Sequence, residues 1–260
     1  MTAPYYADES VTLYHGDSED WLCNWLNEYL KPVAQIVVTS PPYNMGLVPG
    51  GNGRGMYRPG ASNKAGRFRE GYAGSHDDAM PQDEYDAWQR RVLGLLWDVI
   101  PNNGAIFYNH RPRVEHGLLR DPLGNDFGIP LRQRIIWNRK TGIDVNLRTF
   151  CTRAEYIFLF AKPGMHLTSH AASGMGDVWD LGMEHNVKDH PAPFPVSLPS
   201  RCIEVTDARS VFDPYAGSGS TLLAAKLWGI PAVGVEQSER YCEIAARRLD
   251  QGVLDFGATA

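Results

Sequence analysis

The chain has few cysteines, and their spacing suits neither a metal site nor a set of disulfides. Only four of the 260 residues are cysteine: Cys23, Cys151, Cys202 and Cys242. Zinc sites and disulfide frameworks both show closely spaced cysteines, such as Cys-x-x-Cys pairs. His166 and His170 have an i,i+4 spacing, but the segment lacks the glutamate of the His-Glu-x-x-His motif. No metal ion is therefore expected.

The chain also lacks a long apolar run and a secretory leader. The apolar stretch at residues 156–161 is far shorter than the roughly 18 residues that a membrane-spanning helix needs. The first eight residues show neither the basic nor the apolar region of a signal peptide. A content of 43% apolar and 21% charged residues is ordinary for a globular protein. We therefore expect one cytoplasmic domain over residues 1–260, with no membrane partner.

An overall excess of positive charge is missing as well, since the net charge is −5. Nucleic-acid binding depends on local basic patches, however, and residues 46–75 carry five basic side chains against a lone glutamate. These five are Arg54, Arg58, Lys64, Arg67 and Arg69. The segment 45–80 is dense in glycine, asparagine and proline and has no periodicity, which predicts a mobile loop. Its basic residues indicate DNA contacts, and a solvated loop with scattered arginines is the alternative.

Short apolar runs alternate with amphipathic stretches along the chain. Strands are predicted at residues 11–14, 34–38, 104–108, 131–137, 156–161, 210–213 and 232–236. Helices are predicted after Ser18 as N-cap, over 81–100 with Pro81 at the first helical position, over 222–228 and over 239–249. This alternation predicts an α/β protein built on an open sheet. Two sequence motifs lie at the ends of its predicted strands.

The first motif is a glycine-rich loop between a predicted strand and a predicted helix. Residues 212–221 read Phe-Asp-Pro-Tyr-Ala-Gly-Ser-Gly-Ser-Thr. Glycines at this position allow a tight turn and let backbone N–H groups approach a ligand at the helix N-terminus. Glu236 follows seventeen residues after Gly219, at the end of the next strand, where an acid can accept hydrogen bonds from ribose hydroxyls.

Three cofactor classes use glycine loops, and this loop favours one of them. A nucleotide-binding P-loop needs a lysine, but Gly219 is followed by Ser220 and Thr221. A nicotinamide fold needs Gly-x-Gly-x-x-Gly, which the loop does not contain. Asp213, before the glycines, suits the cationic methionine part of S-adenosylmethionine better than a pyrophosphate. S-adenosylmethionine is therefore the predicted cofactor.

The second motif, at residues 39–44, reads Thr-Ser-Pro-Pro-Tyr-Asn and follows the strand at 34–38. The exocyclic amine of a nucleobase is a poor nucleophile, because its lone pair is delocalised into the ring. The Ser40 hydroxyl and the Pro41 carbonyl can accept hydrogen bonds from its two N–H groups, which favours a more nucleophilic nitrogen. Tyr43 offers a face on which a flipped base can stack. A plain strand-ending turn is the alternative.

Taken together and in this order, the two motifs resemble the β-group of DNA amino-methyltransferases, and the likeness covers most of the chain. Other matching segments are residues 177–179, 190–195, 234–236, 241 and 247–249. The resemblance implies a Rossmann-like fold: a seven-stranded, mostly parallel sheet with helices on both faces. It implies that Asp17 meets the adenine ring of the cofactor and that Phe194 flanks the cofactor. It also implies DNA contacts from 45–80 and from a short target-recognition region at 162–188.

The candidate site residues follow from these motifs and this resemblance. Catalysis is assigned to Ser40, Pro41, Pro42 and Tyr43. Cofactor binding is assigned to Asp17, Phe194, Asp213, Tyr215, Ala216, Gly217, Ser218, Gly219, Thr221 and Glu236.

The reaction implied is methyl transfer to an exocyclic amine of double-stranded DNA after base flipping. Ser40 at the head of the catalytic loop resembles the N4-cytosine enzymes, whereas adenine enzymes more often carry an acid there. N4 of cytosine is therefore the predicted target, N6 of adenine is the alternative, and a catalytically silent DNA or cofactor binder is the alternative from another class. The resemblance also allows a cognate restriction endonuclease as partner, and a monomer or a homodimer.

Overall fold

The structure is a computed structural model that describes residues 3–44, 80–115, 118–122, 126–140, 150–183 and 194–251. The strands are β1 Tyr6–Ala7, β2 Val11–His15, β3 Ile36–Thr39, β4 Ala105–His110, β5 Arg113–Glu115, β6 Leu118–Arg120, β7 Leu131–Asn138, β8 Ala154–Ala161, β9 Val178–Asp180, β10 Val211–Asp213 and β11 Ala232–Glu236. The helices are α1 Ser18–Tyr29, α2 Gln82–Asp98, α3 His170–Gly174, α4 Ser197–Thr206, α5 Ser220–Leu227 and α6 Glu239–Gln251. No helix in these ranges is both long enough and apolar enough to cross a membrane.

One sheet organises the molecule, with the strand order β1-β2-β11-β10-β3-β4-β8-β7-β9. Strands β2, β11, β10, β3 and β4 are parallel neighbours, while β8 runs antiparallel to both β4 and β7. The predicted α/β class and the mostly parallel sheet are confirmed. The predicted number of seven strands is wrong, because the described sheet has nine.

The two extra strands lie at the edges of the sheet and are very short. β1 has two residues and pairs with β2, and β9 has three residues and pairs with β7. Segments of this length are too short to show a periodicity of two. The equally short β10 is identified by the glycine loop that follows it, but β1 and β9 are identified only by their pairing with a longer strand. The seven strands between them are those that the sequence pattern predicts.

The core has two parts, one on each face of the sheet. In β3, Ile36 and Val38 belong to one cluster and Val37 to the other, because successive side chains of a strand point to opposite faces. Helices α1 and α2 pack on one face, with buried residues such as Leu22. Helices α4, α5 and α6 pack on the other, with buried residues such as Leu222. Burial on both faces explains why the central strands are continuously apolar.

Helix ends and one whole helix differ from the sequence prediction. The N-cap of α1 is Asp17 rather than Ser18, since the Asp17 carboxylate accepts hydrogen bonds from the first-turn backbone. Pro81 is predicted as the first residue of α2, but it is the N-cap, and the helix begins one residue later at Gln82. Helix α4 lies in a proline-rich stretch that reads as a loop. Its Pro199 is compatible with a helix because it lies in the first turn, where no intrahelical N–H bond is lost.

Candidate active site

The two sequence motifs meet at the C-terminal ends of two adjacent inner strands of the sheet. Strands β10 and β3 are adjacent and parallel, so the glycine loop after β10 and the catalytic loop after β3 leave the sheet side by side. The two loops are directly joined, because the Thr39 hydroxyl donates to Asp213 Oδ1 at 2.7 Å. Both groups are buried. The predicted amine-binding loop and the predicted cofactor loop thus form one site.

The glycine loop turns tightly between β10 and α5. Gly217 and Gly219 have positive φ angles of 50° and 80°, a region that favours glycine. Gly219 is also the N-cap of α5, and a Cβ atom there would lie 3.1 Å from Cβ of Ala245 on α6. The Ala216 N–H donates to the Val235 carbonyl at 2.9 Å, which attaches the loop to β11. Glycine at 219 is therefore required by backbone conformation and by helix packing together.

Glu236, at the end of β11, binds the backbone of the glycine loop. Its Oε2 accepts from the Gly217 N–H at 2.8 Å and its Oε1 accepts from the Ser238 N–H at 2.8 Å. Burial raises the pKa of this carboxyl to about 7, against the opposing effect of the two backbone hydrogen bonds. Each carboxylate oxygen can accept more than one hydrogen bond, so a contact with ribose hydroxyls remains open to it. That contact stays a prediction.

Asp213 is the most buried acid of the site, with a relative exposure of 1%. Its Oδ1 accepts from Thr39 and from the Tyr215 N–H at 3.0 Å, whereas its Oδ2 is buried with no hydrogen-bond partner among the described residues. Burial raises the pKa of Asp213 to about 6, although the Thr39 hydroxyl and the Tyr215 N–H oppose the rise. An unpartnered buried acceptor is costly unless a ligand completes it. The ammonium of S-adenosylmethionine would supply the hydrogen-bond donor that Oδ2 lacks.

The other predicted cofactor residues are close to this loop but have structural roles of their own. The Thr221 hydroxyl is fully buried and donates to the Val38 carbonyl at 3.1 Å, which ties α5 to β3. The ring of Tyr215 lies 5.8 Å from the ring of Trp88 on α2. Asp17 caps α1, and the adjacent Ser18 hydroxyl donates to the Pro214 carbonyl. Direct cofactor contacts of Asp17, Tyr215 and Thr221 stay predictions.

Phe194 and Ser218 complete the predicted set. Phe194 is 8% exposed and belongs to the same core cluster as Ala216. Ser218 is held by Arg248 of α6, whose Nη1 donates to the Ser218 carbonyl at 2.7 Å and to its hydroxyl at 2.9 Å. Arg248 lies in a segment that matches the family, but the sequence alone does not connect it to the glycine loop. It is a supporting residue of the site that only the folded chain reveals.

Side chains from α2 and β4 contact the catalytic loop. The Tyr85 hydroxyl donates to the Pro42 carbonyl at 2.6 Å and lies 2.9 Å from Nε2 of His110. The ring of His110 in turn lies 4.9 Å from the ring of Tyr43, with an interplanar angle of 34°. The Pro42 carbonyl is therefore already engaged, and the Pro41 carbonyl remains the candidate acceptor for an amine.

Ser40 and Tyr43 belong to a polar network that the sequence does not predict. Oγ of Ser40 lies 2.5 Å from the Tyr43 hydroxyl, and Nδ2 of Asn109 donates to that hydroxyl at 2.7 Å. The Tyr43 hydroxyl and Asn109 Nδ2 both donate to Glu155 Oε2, at 3.4 and 3.0 Å. Arg139 Nη1 donates to Glu155 Oε1 at 3.0 Å. The sequence offers one indication that Glu155 has a special role, since it is the lone acid in the otherwise apolar strand β8.

The five arginines and lysines predicted to contact DNA lie outside the described residues. They are Arg54, Arg58, Lys64, Arg67 and Arg69, within the undescribed segment 45–79. Of the predicted target-recognition region 162–188, residues 162–183 are described and contain α3 and β9. Their contact with DNA stays a prediction.

Known proteins resemble the chain over nearly its whole length. A family model for DNA methylases, the N6 and N4 methyltransferases, matches residues 34–247. The type II methyltransferase M2.LlaDCHI of Lactococcus lactis subsp. cremoris is 26% identical, with 97% of this chain and 94% of the relative covered. M.ScaI of Streptomyces caespitosus is 28% identical, with 95% and 84% covered.

Two solved structures show the same fold. The cytosine-N4-specific PvuII DNA methyltransferase superposes with a TM-score of 0.71 at 16% identity, covering 98% of this chain and 94% of its own. M1.HpyAVI, solved as a complex with S-adenosylmethionine, superposes with a TM-score of 0.59 at 16% identity, covering 92% of this chain and 100% of its own. The Rossmann-like architecture is thereby confirmed.

Proposed function

The chain belongs to the S-adenosylmethionine-dependent DNA methylase family, and from this premise we propose that it methylates the exocyclic N4 of cytosine at a specific site in duplex DNA. Base flipping brings the target cytosine to the catalytic loop, because an amine inside the duplex cannot reach a donor bound in a protein. N6 of adenine is the second candidate, since the matching family comprises both N6 and N4 methyltransferases.

The hydrogen bond between Thr39 and Asp213 is the observation that carries the proposal. Direct methyl transfer requires the nucleophile and the donor to be held in near-attack geometry, which supplies much of the rate acceleration. The 2.7 Å bond joins the loop that would hold the amine to the loop that would hold the donor.

The cofactor-binding side of the site would be formed by Asp213, Glu236 and the backbone of residues 215–219. Asp213 Oδ2 would accept a hydrogen bond from the ammonium group, and Glu236 would accept from ribose hydroxyls. When bound, S-adenosylmethionine supplies a methyl group activated by a positively charged sulfur. The neighbouring loop residues determine which atom that methyl group reaches.

The amine-binding side would be formed by Ser40, Pro41 and Tyr43. Ser40 Oγ and the Pro41 carbonyl accept the two N–H bonds of the amine, while one face of Tyr43 stacks on the base, worth roughly 1–3 kcal/mol. The nitrogen would take the methyl group directly as the methyl–sulfur bond breaks, and it would then release one N–H proton to solvent. No covalent base adduct is formed, since none of the four cysteines lies in a Pro-Cys pair. The neutral Ser40 at the head of the loop supports cytosine as the target.

The experiment is methyl transfer to DNA from S-adenosylmethionine labelled in its methyl group. Treated DNA is digested to nucleosides, and the methylated nucleoside is identified by mass. We expect N4-methylcytosine from the wild type, and a loss of most transfer with nearly normal cofactor binding in Ser40→Ala, because only an acceptor for the amine is removed. N6-methyladenine would select the alternative, and full activity of Ser40→Ala would refute the catalytic role of the loop.

The remaining predictions from the sequence belong to this proposal. The segments 45–80 and 162–188 would contact DNA and read the site, and a cognate restriction endonuclease would be the partner in a restriction-modification system. The type II methyltransferases among the relatives support that role. A monomer or a homodimer, and a cytoplasmic location, stay predictions.

A further inference from the structure

We propose that Glu155 is a positioning residue for methyl transfer: through the Tyr43 hydroxyl it orients the Ser40 hydroxyl so that Ser40 presents lone pairs to the target amine. The inference rests on the proposed function, because it explains how the catalytic loop meets an amine. It adds Glu155, Asn109 and Arg139 to the residues on which that reaction depends. None of these three belongs to the sequence motifs that identify the site.

Sheet pairing brings Glu155 to the catalytic loop. Strand β8 runs antiparallel to β4, and His110 at the end of β4 pairs with Tyr156. Glu155, which precedes Tyr156, therefore lies beside the C-terminal end of β4. The catalytic loop leaves the neighbouring parallel strand β3 at the same end. Glu155 is only 6% exposed, so its carboxylate acts in a region of low dielectric constant.

Arg139 and Asn109 hold the Glu155 carboxylate in place. Arg139 Nη1 donates to Oε1 at 3.0 Å, and Nη2 of the same side chain donates to the Thr152 carbonyl at 2.7 Å. Asn109 Nδ2 donates to Oε2 at 3.0 Å. The Arg139 and Glu155 side chains are 13% and 8% exposed, so neither charge is well solvated and each needs the other.

The charge of Glu155 favours one direction of hydrogen bonding in this network. A carboxylate only accepts hydrogen bonds, so in the 3.4 Å contact between Tyr43 and Glu155 Oε2 the Tyr43 hydroxyl is the donor. Tyr43 has a single proton, and the bond at 2.5 Å between Tyr43 and Ser40 is then donated by Ser40. The Ser40 proton is thereby directed away from any amine, and its lone pairs remain to accept from an N–H group.

The opposite direction would impair the reaction. If the Tyr43 proton pointed to Ser40, the Ser40 proton would be free to face the N–H groups of the amine, and two donors would oppose each other. The negative charge of Glu155 disfavours this arrangement, because a hydrogen bond to an ionised acceptor is roughly twice as strong as a neutral one. Glu155 therefore converts a hydroxyl that can donate or accept into one that accepts.

The test is a double-mutant cycle between Glu155→Gln and Tyr43→Phe. Glu155→Gln removes the charge at nearly constant shape, and Tyr43→Phe removes the hydroxyl but keeps the stacking ring. Each single variant should lower kcat on the order of tenfold to a hundredfold, the range for loss of a hydrogen bond to a charged group. The double variant should lose little more than either single one, because both act through the same hydroxyl chain.

A matched control separates this effect from loss of stability. Asp8→Asn breaks another partly buried ion pair, between Asp8 and Lys226 at 2.5 Å, in which the side chains are 24% and 15% exposed. This variant should keep its kcat, and all variants should bind S-adenosylmethionine within about twofold of the wild type, as expected when only transition-state contacts change. Thermal melting measures the change in stability of each variant.

The outcomes distinguish the two levels of the proposal. A wild type without methyl transfer to any nucleobase amine overturns the proposed function and, with it, this inference. An active wild type with a fully active Glu155→Gln overturns the inference alone. So does a double variant whose losses multiply, since Glu155 would then act independently of the Tyr43 hydroxyl.

Discussion

Replacement of Asp213 by asparagine should stabilise the unliganded protein at pH 8 while weakening cofactor binding. The residue is 1% exposed, and Oδ2 has no hydrogen-bond partner among the described residues. Its pKa is raised from 3.8 to about 6 by burial. At 1.36 kcal/mol per pKa unit, the ionised carboxylate costs the folded state on the order of 3 kcal/mol above pH 6. Asparagine keeps an acceptor for Thr39 and for the Tyr215 N–H and removes the cost of the charge. Its Nδ2 group takes the place of Oδ2 without an acceptor, so the net gain is smaller than the cost of the charge.

The sign of the pH dependence follows from the raised pKa. Between pH 3.8 and about 6 the folded state retains a proton that the unfolded state has released, so the free energy of unfolding falls as the pH rises. The difference between Asp213→Asn and the wild type should therefore be largest at pH 8 and should shrink towards pH 4. We expect a gain of about 1–3 kcal/mol in the free energy of unfolding at pH 8. For a domain of this size, each kcal/mol raises the melting temperature by roughly 2–4 °C.

Cofactor binding should change in the opposite direction. The lost hydrogen bond to an ammonium group predicts a dissociation constant for S-adenosylmethionine at least about tenfold weaker in Asp213→Asn. Melting curves at pH 8 and pH 4.5 measure the stability, and calorimetric titration measures the binding. An Asp213→Asn variant that melts earlier at pH 8 and binds the cofactor normally would refute the role assigned to the free Oδ2.

Two further predictions concern side chains that support the site and the fold. Arg248→Met should weaken S-adenosylmethionine binding by roughly tenfold in calorimetry, because Ser218 of the glycine loop loses two hydrogen bonds. Unchanged binding would show that the conformation of the loop does not depend on Arg248. Lys226→Met should destabilise the protein by about 1–2 kcal/mol at neutral pH in urea unfolding. Burial acts to raise the pKa of Asp8, but the hydrogen bonds from Lys226 and from two backbone N–H groups outweigh it and lower this pKa below its usual range. The stability that this pair contributes is therefore fully present above about pH 4 and is lost as the pH falls through the lowered pKa of Asp8, so a Lys226→Met effect that does not shrink between pH 4 and pH 2 would contradict the assignment.

Local sequence patterns identify the strands and helices that have enough residues to show a period. The seven inner strands and both motif loops are predictable because a buried strand needs a run of apolar residues and a turn needs glycine or proline. β10 has only three residues but is identified by the glycine loop that follows it, whereas β1 and β9 have neither a period nor a motif. Helix α4 is not predicted because prolines precede it and Pro199 lies in its first turn, while its burial against the sheet stabilises a helix.

For the site, the two loops and their chemistry can be predicted from local sequence, because glycines, prolines and the acids before and after the glycine loop act through local backbone geometry. The side chains that surround these loops depend instead on the fold. Glu155 reaches Tyr43 across 112 positions of sequence, and Arg248 reaches Ser218 across 30, through strand pairing and helix packing. Such contacts depend on the register of distant elements, which no short motif encodes.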